Sequence, residues 1–188
     1  MPQPDVAGGA PHHGNRVRSR GFEGIVDRRA LALLVALFVM APGTGEARTQ
    51  STVAPPFTLP TAAGSVSLDS LQAKVVLVDF WASWCGPCKK SFPWMSTMQE
   101  RYGSKGLAIV AINVDKSRDA AEKFLTEHPT PFVVAYDPSG KTAKAFHVWG
   151  MPTSFLVGPG RAILASRSGF DPKHAKEVEA MIQEACAR

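Results

Sequence analysis

The chain has 188 residues, 45% of them hydrophobic and 20% charged, with a formal net charge of +5 at pH 7. That length buries an ordinary core and leaves an extension, and the mixed composition excludes a wholly disordered chain. Arg16, Arg18, Arg20, Arg28 and Arg29 all lie before residue 30. The basicity therefore belongs only in part to the N-terminal segment; the remainder reads as solvated lysines and, without aromatic–basic interleaving, gives no nucleic-acid face.

Residues 1–27 are rich in Gly, Pro, Arg and His without periodicity. They are expected to be a disordered leader, or to precede a true start near Val26 at a non-AUG codon; His12-His13 is a poor metal site in either case. Residues 28–47 have the parts of a secretory signal: Arg28-Arg29, an uncharged apolar run from Ala30 to Ala41, and Gly45-Glu46-Ala47 at the processing positions. As a helix the apolar run reaches about 18 Å, short of a ~30 Å hydrocarbon core. Cleavage after about Ala47 and a periplasmic location are the expectation, with an uncleaved anchor as the weaker alternative. Residues 48–188 then form the folded domain. No cysteine stands directly after the apolar run, which argues against lipoprotein processing.

Phe57-Thr58-Leu59 and Val66-Ser67-Leu68 predict a hairpin, and Asp69 is placed to cap a helical turn ending near Ala73. Residues 75–80 predict a strand buried on both faces. A helix is predicted from about Pro87 to Tyr102, with Phe92, Met95 and Met98 inward, Pro93 kinking it and Gly103 stopping it. Leu107–Val114 and Phe132–Tyr136 predict strands, Ser117–Glu127 a helix with Phe124 and Leu125 inward, and Asp137–Gly140 a turn. A short helix over 141–147, a hairpin of Thr153–Val157 and Ala162–Ser168, and a helix over Pro172–Ala187 complete the chain. Strands alternating with helices, then an antiparallel pair, predict an α/β mixed sheet.

The chemistry centres on Trp84-Cys85-Gly86-Pro87-Cys88. The motif falls between the apolar strand and a helix, so Cys85 stands near a helix N-terminus, where partial positive charge and free N–H groups favour a thiolate. Cys88, one turn on, is placed to attack a mixed disulfide made by Cys85. Half a zinc site has the same spacing, but the strand–turn–helix setting favours redox chemistry. The odd cysteine, Cys186, is read as a half-buried or frayed-end thiol without a role; an intermolecular disulfide or a resolving thiol are the alternatives.

These residues resemble the thioredoxin superfamily, specifically its TlpA-like (ResA-like) exported thiol–disulfide oxidoreductases. The resemblance rests on Phe57-x-Leu59, Val78-x-Phe80-Trp81-Ala82-x-Trp84-Cys85-x-Pro87-Cys88-Lys89, Pro93, Val110-Ala111-Ile112-Asn113-Val114-Asp115 and Gly150-Met151-Pro152-Thr153-x-Phe155-Leu156-Val157. It implies a thioredoxin-like sheet flanked by helices, with an N-terminal hairpin and an inserted helix–strand unit over residues 116–140. By the same resemblance Cys85 is the exposed attacking thiol, Cys88 the buried resolving thiol, and Pro87 the residue that sets the turn. Pro152 matches the family's cis-proline facing the disulfide, where the backbone of Gly150-Met151 would pair with an extended client segment. Trp84 is expected to shield the thiols and offer an apolar docking surface, and Trp81 to be core; Trp149 fits either setting.

Two departures bear on proton handling. Many relatives carry a glutamate three residues after the second cysteine, where this chain has Ser91. Asp79 stands where classical thioredoxin has a buried aspartate that relays a proton for the resolving cysteine, although the lysine beside that aspartate maps to Ala111. Asp79 is therefore expected to be the acid/base for Cys88.

The implied activity is reduction of protein disulfides, with no cofactor beyond the Cys85–Cys88 redox pair and no metal. The implied partners are client disulfides and a membrane thiol electron donor, and the protein is expected to be a monomer. A disulfide oxidase or isomerase is the alternative within the class. The resemblance suggests cytochrome c maturation or general thiol rescue. Specialised cytochrome-maturation members carry a glutamate beside the cis-proline that Met151-Pro152-Thr153-Ser154 lacks. A peroxidase needs a Pro-x-x-x-Thr-x-x-Cys segment, absent here. Copper delivery would use wider thiol spacing and a distal histidine, whereas His128, His147 and His174 read as helix-end or surface residues.

Overall fold

The structure is a computed structural model that describes residues 53–188. The expected leader, signal segment and cleavage site lie outside the described residues.

A seven-stranded mixed sheet runs in the order β2-β1-β5-β4-β3-β6-β7. The strands are β1 (Thr58–Thr61), β2 (Gly64–Ser67), β3 (Val75–Trp81), β4 (Leu107–Asn113), β5 (Val133–Tyr136), β6 (Thr153–Val157) and β7 (Ile163–Ser168). β3 is buried along its whole length, which its valine-rich, two-faced apolar run requires. It pairs in parallel with β4, from Val75 opposite Leu107 to Trp81 opposite Asn113, and antiparallel with β6.

Alternation along β3 divides the core. Val75, Leu77 and Trp81 face one side, with α1 (Cys88–Tyr102), α2 (Arg118–Glu127) and α4 (Pro172–Ala187). Val76, Val78 and Phe80 face the other, with Phe57, Phe146 and Phe155 and the short α3 (Lys141–Ala145). The inserted unit comprises α2 and β5. Its strand lies between β4 and β1, so it joins the N-terminal hairpin to the parallel core, with Thr61 opposite Ala135. Its helix sends Phe124 against Trp81 and Phe92, with ring centroids 4.8 and 5.0 Å apart.

Local signals differ from the sequence reading at a few points. Asp69 lies inside a 3-10 turn, Leu68–Ser70, whose first residue follows Ser67 in extended conformation; Asp69 caps nothing. Gly103 follows the last α-helical residue, Tyr102, as expected, but stays right-handed and opens a 3-10 turn that closes at Gly106. Gly106 has φ +113°, and a Cβ there would meet the Lys74 side chain at 2.7 Å, so that position requires glycine. α1 runs unbroken from Cys88 to Tyr102 through Pro93. The carbonyl left without a donor by Pro93 belongs to exposed Lys89, where water can satisfy it. α4 has the predicted bounds, with Pro172 in its first turn and the Asp171 carboxylate accepting from the Lys173 amide at 2.6 Å.

Candidate active site

The site forms where β3 ends. Ala82 and Ser83 carry the chain from the sheet to a turn closed by the Cys85 amide donating to Ala82 O at 3.1 Å. α1 then begins at Cys88, with Pro87 already in right-handed geometry at its N-cap position. The Cys88 amide donates to Cys85 O at 3.1 Å and approaches Cys85 Sγ at 3.2 Å. A helix-terminal N–H held on sulfur stabilises negative charge there, which favours the Cys85 thiolate. The two cysteines form a disulfide with S–S 2.08 Å and Cα–Cα 5.3 Å. Cys88 is fully buried, and Ser91 donates to its carbonyl oxygen at 3.1 Å.

One expectation about exposure is corrected: Cys85, expected to be exposed at the turn, is only 3% exposed. Trp84 is 72% exposed, so it stands out from the turn as an apolar surface. Trp81 is core, edge-on to Phe92 at 4.8 Å, and Trp149 is 84% exposed.

Antiparallel pairing of β3 with β6 sets Thr153 opposite Phe80, which brings the Gly150–Pro152 segment to the same end of β3 as the disulfide. The Met151–Pro152 peptide bond is cis. The segment is pinned by Thr153 Oγ1 donating to Gly150 O at 2.7 Å and by the Gly169 amide donating to Pro152 O at 2.7 Å. Met151 packs against the core cluster that contains Cys85 and Cys88. Gly86 and Gly150 are exposed, and an added Cβ at either would meet no protein atom within 4 Å. Internal packing requires neither glycine; both leave the surface around the disulfide low.

Asp79 sits on β3 between Leu77 and Trp81, so the period of two turns it toward α1 and the disulfide face. It is fully buried, with Ala111 beside it on β4 and Ser154 beside it on β6. Ser154 Oγ donates to Oδ1 at 2.6 Å, while Oδ2 has no hydrogen-bond partner among the described residues. Burial raises the carboxyl pKa to about 7, against the lowering effect of the Ser154 bond. Its neighbour on β4 is the uncharged Ala111.

One part of the site went unread in the sequence. Asp115 Oδ2 accepts from the Ser83 amide and from Asn113 Nδ2, both at 2.8 Å, and Oδ1 accepts from Ser83 Oγ at 3.1 Å. Both Asn113 and Asp115 are buried, so this network clamps the loop two residues before Cys85. Two amide-or-acid residues closing an apolar strand were the available signal, but their partner lies 32 residues away.

Other candidates stand apart. His128 ends α2 and stacks on Phe124 at 4.5 Å, and His147 and His174 are exposed on other elements. Among the described residues no three His, Cys, Asp or Glu side chains are grouped to hold a metal, and no helix is long and apolar enough to cross a membrane. A cavity of about 720 Å³ lined by Lys74, Arg101, Tyr102, Lys105 and Cys186 opens at the opposite end of β3 from the disulfide. Cys186 is a buried free thiol within α4, and its carbonyl oxygen accepts from Lys74 Nζ at 2.8 Å.

A disulfide across the first turn of a helix, at the end of a central strand in such a sheet, defines the thioredoxin-like thiol–disulfide oxidoreductase class. The AhpC/TSA family matches residues 51–166, and the chain belongs to that family. Within it the chain is ResA/TlpA-like: it is 36% identical over 115 residues to the thiol-disulfide oxidoreductase ResA of Bacillus subtilis, a stretch covering 61% of this chain and 64% of ResA. The chain thus spans just under two thirds of the length of such ResA relatives. A solved structure from Chlorobium tepidum, provisionally named thiol:disulfide interchange protein DsbE, is 46% identical with a TM-score of 0.69, covering 71% of this chain and 95% of that one. StoA of Bacillus subtilis matches with a TM-score of 0.58 at 25% identity, over 69% of this chain and 97% of StoA. These structures share the α/β thioredoxin-like fold seen here.

Proposed function

We propose that this protein is a protein-disulfide reductase that works outside the cytoplasm. The observation that carries the proposal is the Cys85–Cys88 disulfide, enclosing only Gly86 and Pro87 at the start of α1, with the Cys88 amide held on Cys85 Sγ. In the reduced enzyme the Cys85 thiolate attacks a client disulfide, and one client sulfur leaves as a thiolate that takes a proton from water. Asp79 then accepts the Cys88 proton, and the Cys88 thiolate attacks Cys85 Sγ. The mixed disulfide breaks, the second client sulfur leaves and is protonated, and Cys85–Cys88 closes. Two electrons pass from the dithiol to the client.

The client segment lies along Gly150-Met151-Pro152, with Trp84 and the open surface at Gly86 beside it. The Gly-Pro dipeptide is that of thioredoxin, a reductant at about −270 mV, and differs from the strong oxidant DsbA at about −120 mV. The names of the ResA relative and of the Chlorobium tepidum structure support exchange chemistry on this frame. A reductase in an oxidising compartment needs electrons delivered, so a membrane thiol relay is the proposed donor. Export rests on the Arg28–Ala47 segment.

Equilibration of the Cys85–Cys88 couple against glutathione and thioredoxin tests the direction. A potential near −270 mV is expected, and one near −120 mV reverses the assignment to oxidase. In the same assays Cys88→Ser should accumulate a client mixed disulfide visible by mass spectrometry, whereas Cys85→Ser should form none. For export, the mature N-terminus is expected near Arg48; a cellular protein still carrying residues 28–47 overturns cleavage.

A further inference from the structure

The register of the sheet sets four residues in a row: Ala111 on β4, Asp79 on β3, Ser154 on β6 and Arg167 on β7. The Ser154 hydroxyl bonds to Oδ1 of Asp79 at 2.6 Å, in the range of a hydroxyl donating to a carboxyl oxygen. The second oxygen, Oδ2, is buried and has no partner among the described residues. Ser154 is also the second residue of β6, two positions after the cis peptide bond. The strand that begins at the client ledge therefore carries the group that holds the buried carboxyl.

We propose that Ser154 is a positioning residue for Asp79: its hydroxyl occupies Oδ1, fixes the carboxyl plane, and reserves Oδ2 to take up and return the Cys88 proton. This rests on the reading of Asp79 as the base for Cys88. In the step concerned, the Cys88 S–H proton moves to Oδ2 and the thiolate electrons form the Cys85–Cys88 bond as the client sulfur leaves. Oδ2 gives the proton up when the enzyme is next reduced.

The surroundings make Ser154 the polar group that adjusts this carboxyl. Ala111 on β4 carries no charge, α1 contributes Cys88 and Ser91, and α4 turns Val178 and Ile182 inward. Arg167, the next charge along the row, directs its guanidinium to Ser166 O and Glu177. Burial raises the Asp79 pKa and the Ser154 bond lowers it, so removing the hydroxyl should raise it further.

The test follows the Asp79 carboxyl carbon by NMR in the oxidised protein, where neither active-site cysteine titrates, and the pH dependence of client reduction in parallel. Ser154→Val lacks the hydroxyl and Ser154→Thr keeps it in nearly the same shape, so the pair controls for packing; Ser154→Ala serves if Val does not fold. In Ser154→Val the Asp79 midpoint and the acid limb of the rate profile should both rise by about one pH unit, a tenfold lower rate well below both midpoints. Ser154→Thr should restore both. An unmoved Asp79 midpoint in Ser154→Val overturns the proposal. A midpoint that moves while the rate profile stays in place overturns the base role of Asp79 instead, and leaves Ser154 with no part in catalysis.

Discussion

A carboxyl group with no water contact and a single hydrogen bond is costly to ionise, and Asp79 has that setting. Its pKa is raised from an ordinary 3.8 to about 7 in the fold. The sign of the stability effect follows from proton counts. Between pH 4 and 7 the unfolded chain has lost the proton that the folded chain keeps, so stability falls as pH rises through this window and levels off above it. The charged form costs the fold on the order of 4 kcal/mol at alkaline pH. Asp79→Asn should therefore unfold at a higher urea concentration than the parent at pH 8, with the gap closing toward pH 4, while turnover falls and loses its acid limb. A parent whose urea midpoint is flat from pH 4 to 8 would contradict this. Ser91 plays a smaller part, bonding only to the Cys88 carbonyl. Asp115, with three bonds into the Asn113–Ser83 region, holds the approach to the turn.

At the scale of elements, the disulfide is held in place by the packing beneath it. Trp81 at the end of β3, Phe92 in α1, Phe124 in α2 and Phe132 ahead of β5 form a continuous aromatic cluster with centroids 4.8–5.6 Å apart. It ties the helix bearing Cys88 to the inserted unit. Phe124→Ala removes the ring that α2 places in this cluster and should cost about 3–5 kcal/mol in equilibrium unfolding. A loss below about 1 kcal/mol would mean that α2 is not docked as described. The helix ends follow their own chemistry: the Asp137 carboxylate accepts from the Thr142 and Ala143 amides at 2.8 and 3.3 Å, which starts α3 after a left-handed Gly140.

Across the whole molecule, the sheet separates two thiol environments. The redox pair lies beyond the C-terminal end of β3, whereas Cys186 lies beside Lys74 at its N-terminal end. A strand of that length spans about 23 Å, too far for direct exchange. Burial also raises the Cys186 pKa, which lowers its thiolate fraction. Cys186→Ser should leave client reduction within about twofold of the parent, and iodoacetamide should label Cys186 only slowly until the protein is denatured. A large loss of turnover would restore Cys186 as a resolving thiol.

The strands and helices were legible because their signals are local. A β-branched run marked β3, inward aromatic and methionine spacing marked α1, and Pro172 opened α4 at the predicted residue. The need for glycine at position 106 was not legible, because the Lys74 side chain that closes on it is distant in sequence. The Cys85–Cys88 pair and Pro152 were also legible, each from a short motif. Burial of Cys85, the open position of Trp84, the Asp115 clamp and the Ser154–Asp79 bond were not, since each depends on chain segments joined by the sheet. The sequence by itself determined the reactive pair, Cys85 and Cys88, because spacing and residue type are covalent facts. Only the tertiary structure decided that the Asp79 carboxyl holds its proton toward neutral pH, because a carboxyl's affinity for a proton is set by the water it loses and the partner it meets across β3 and β6.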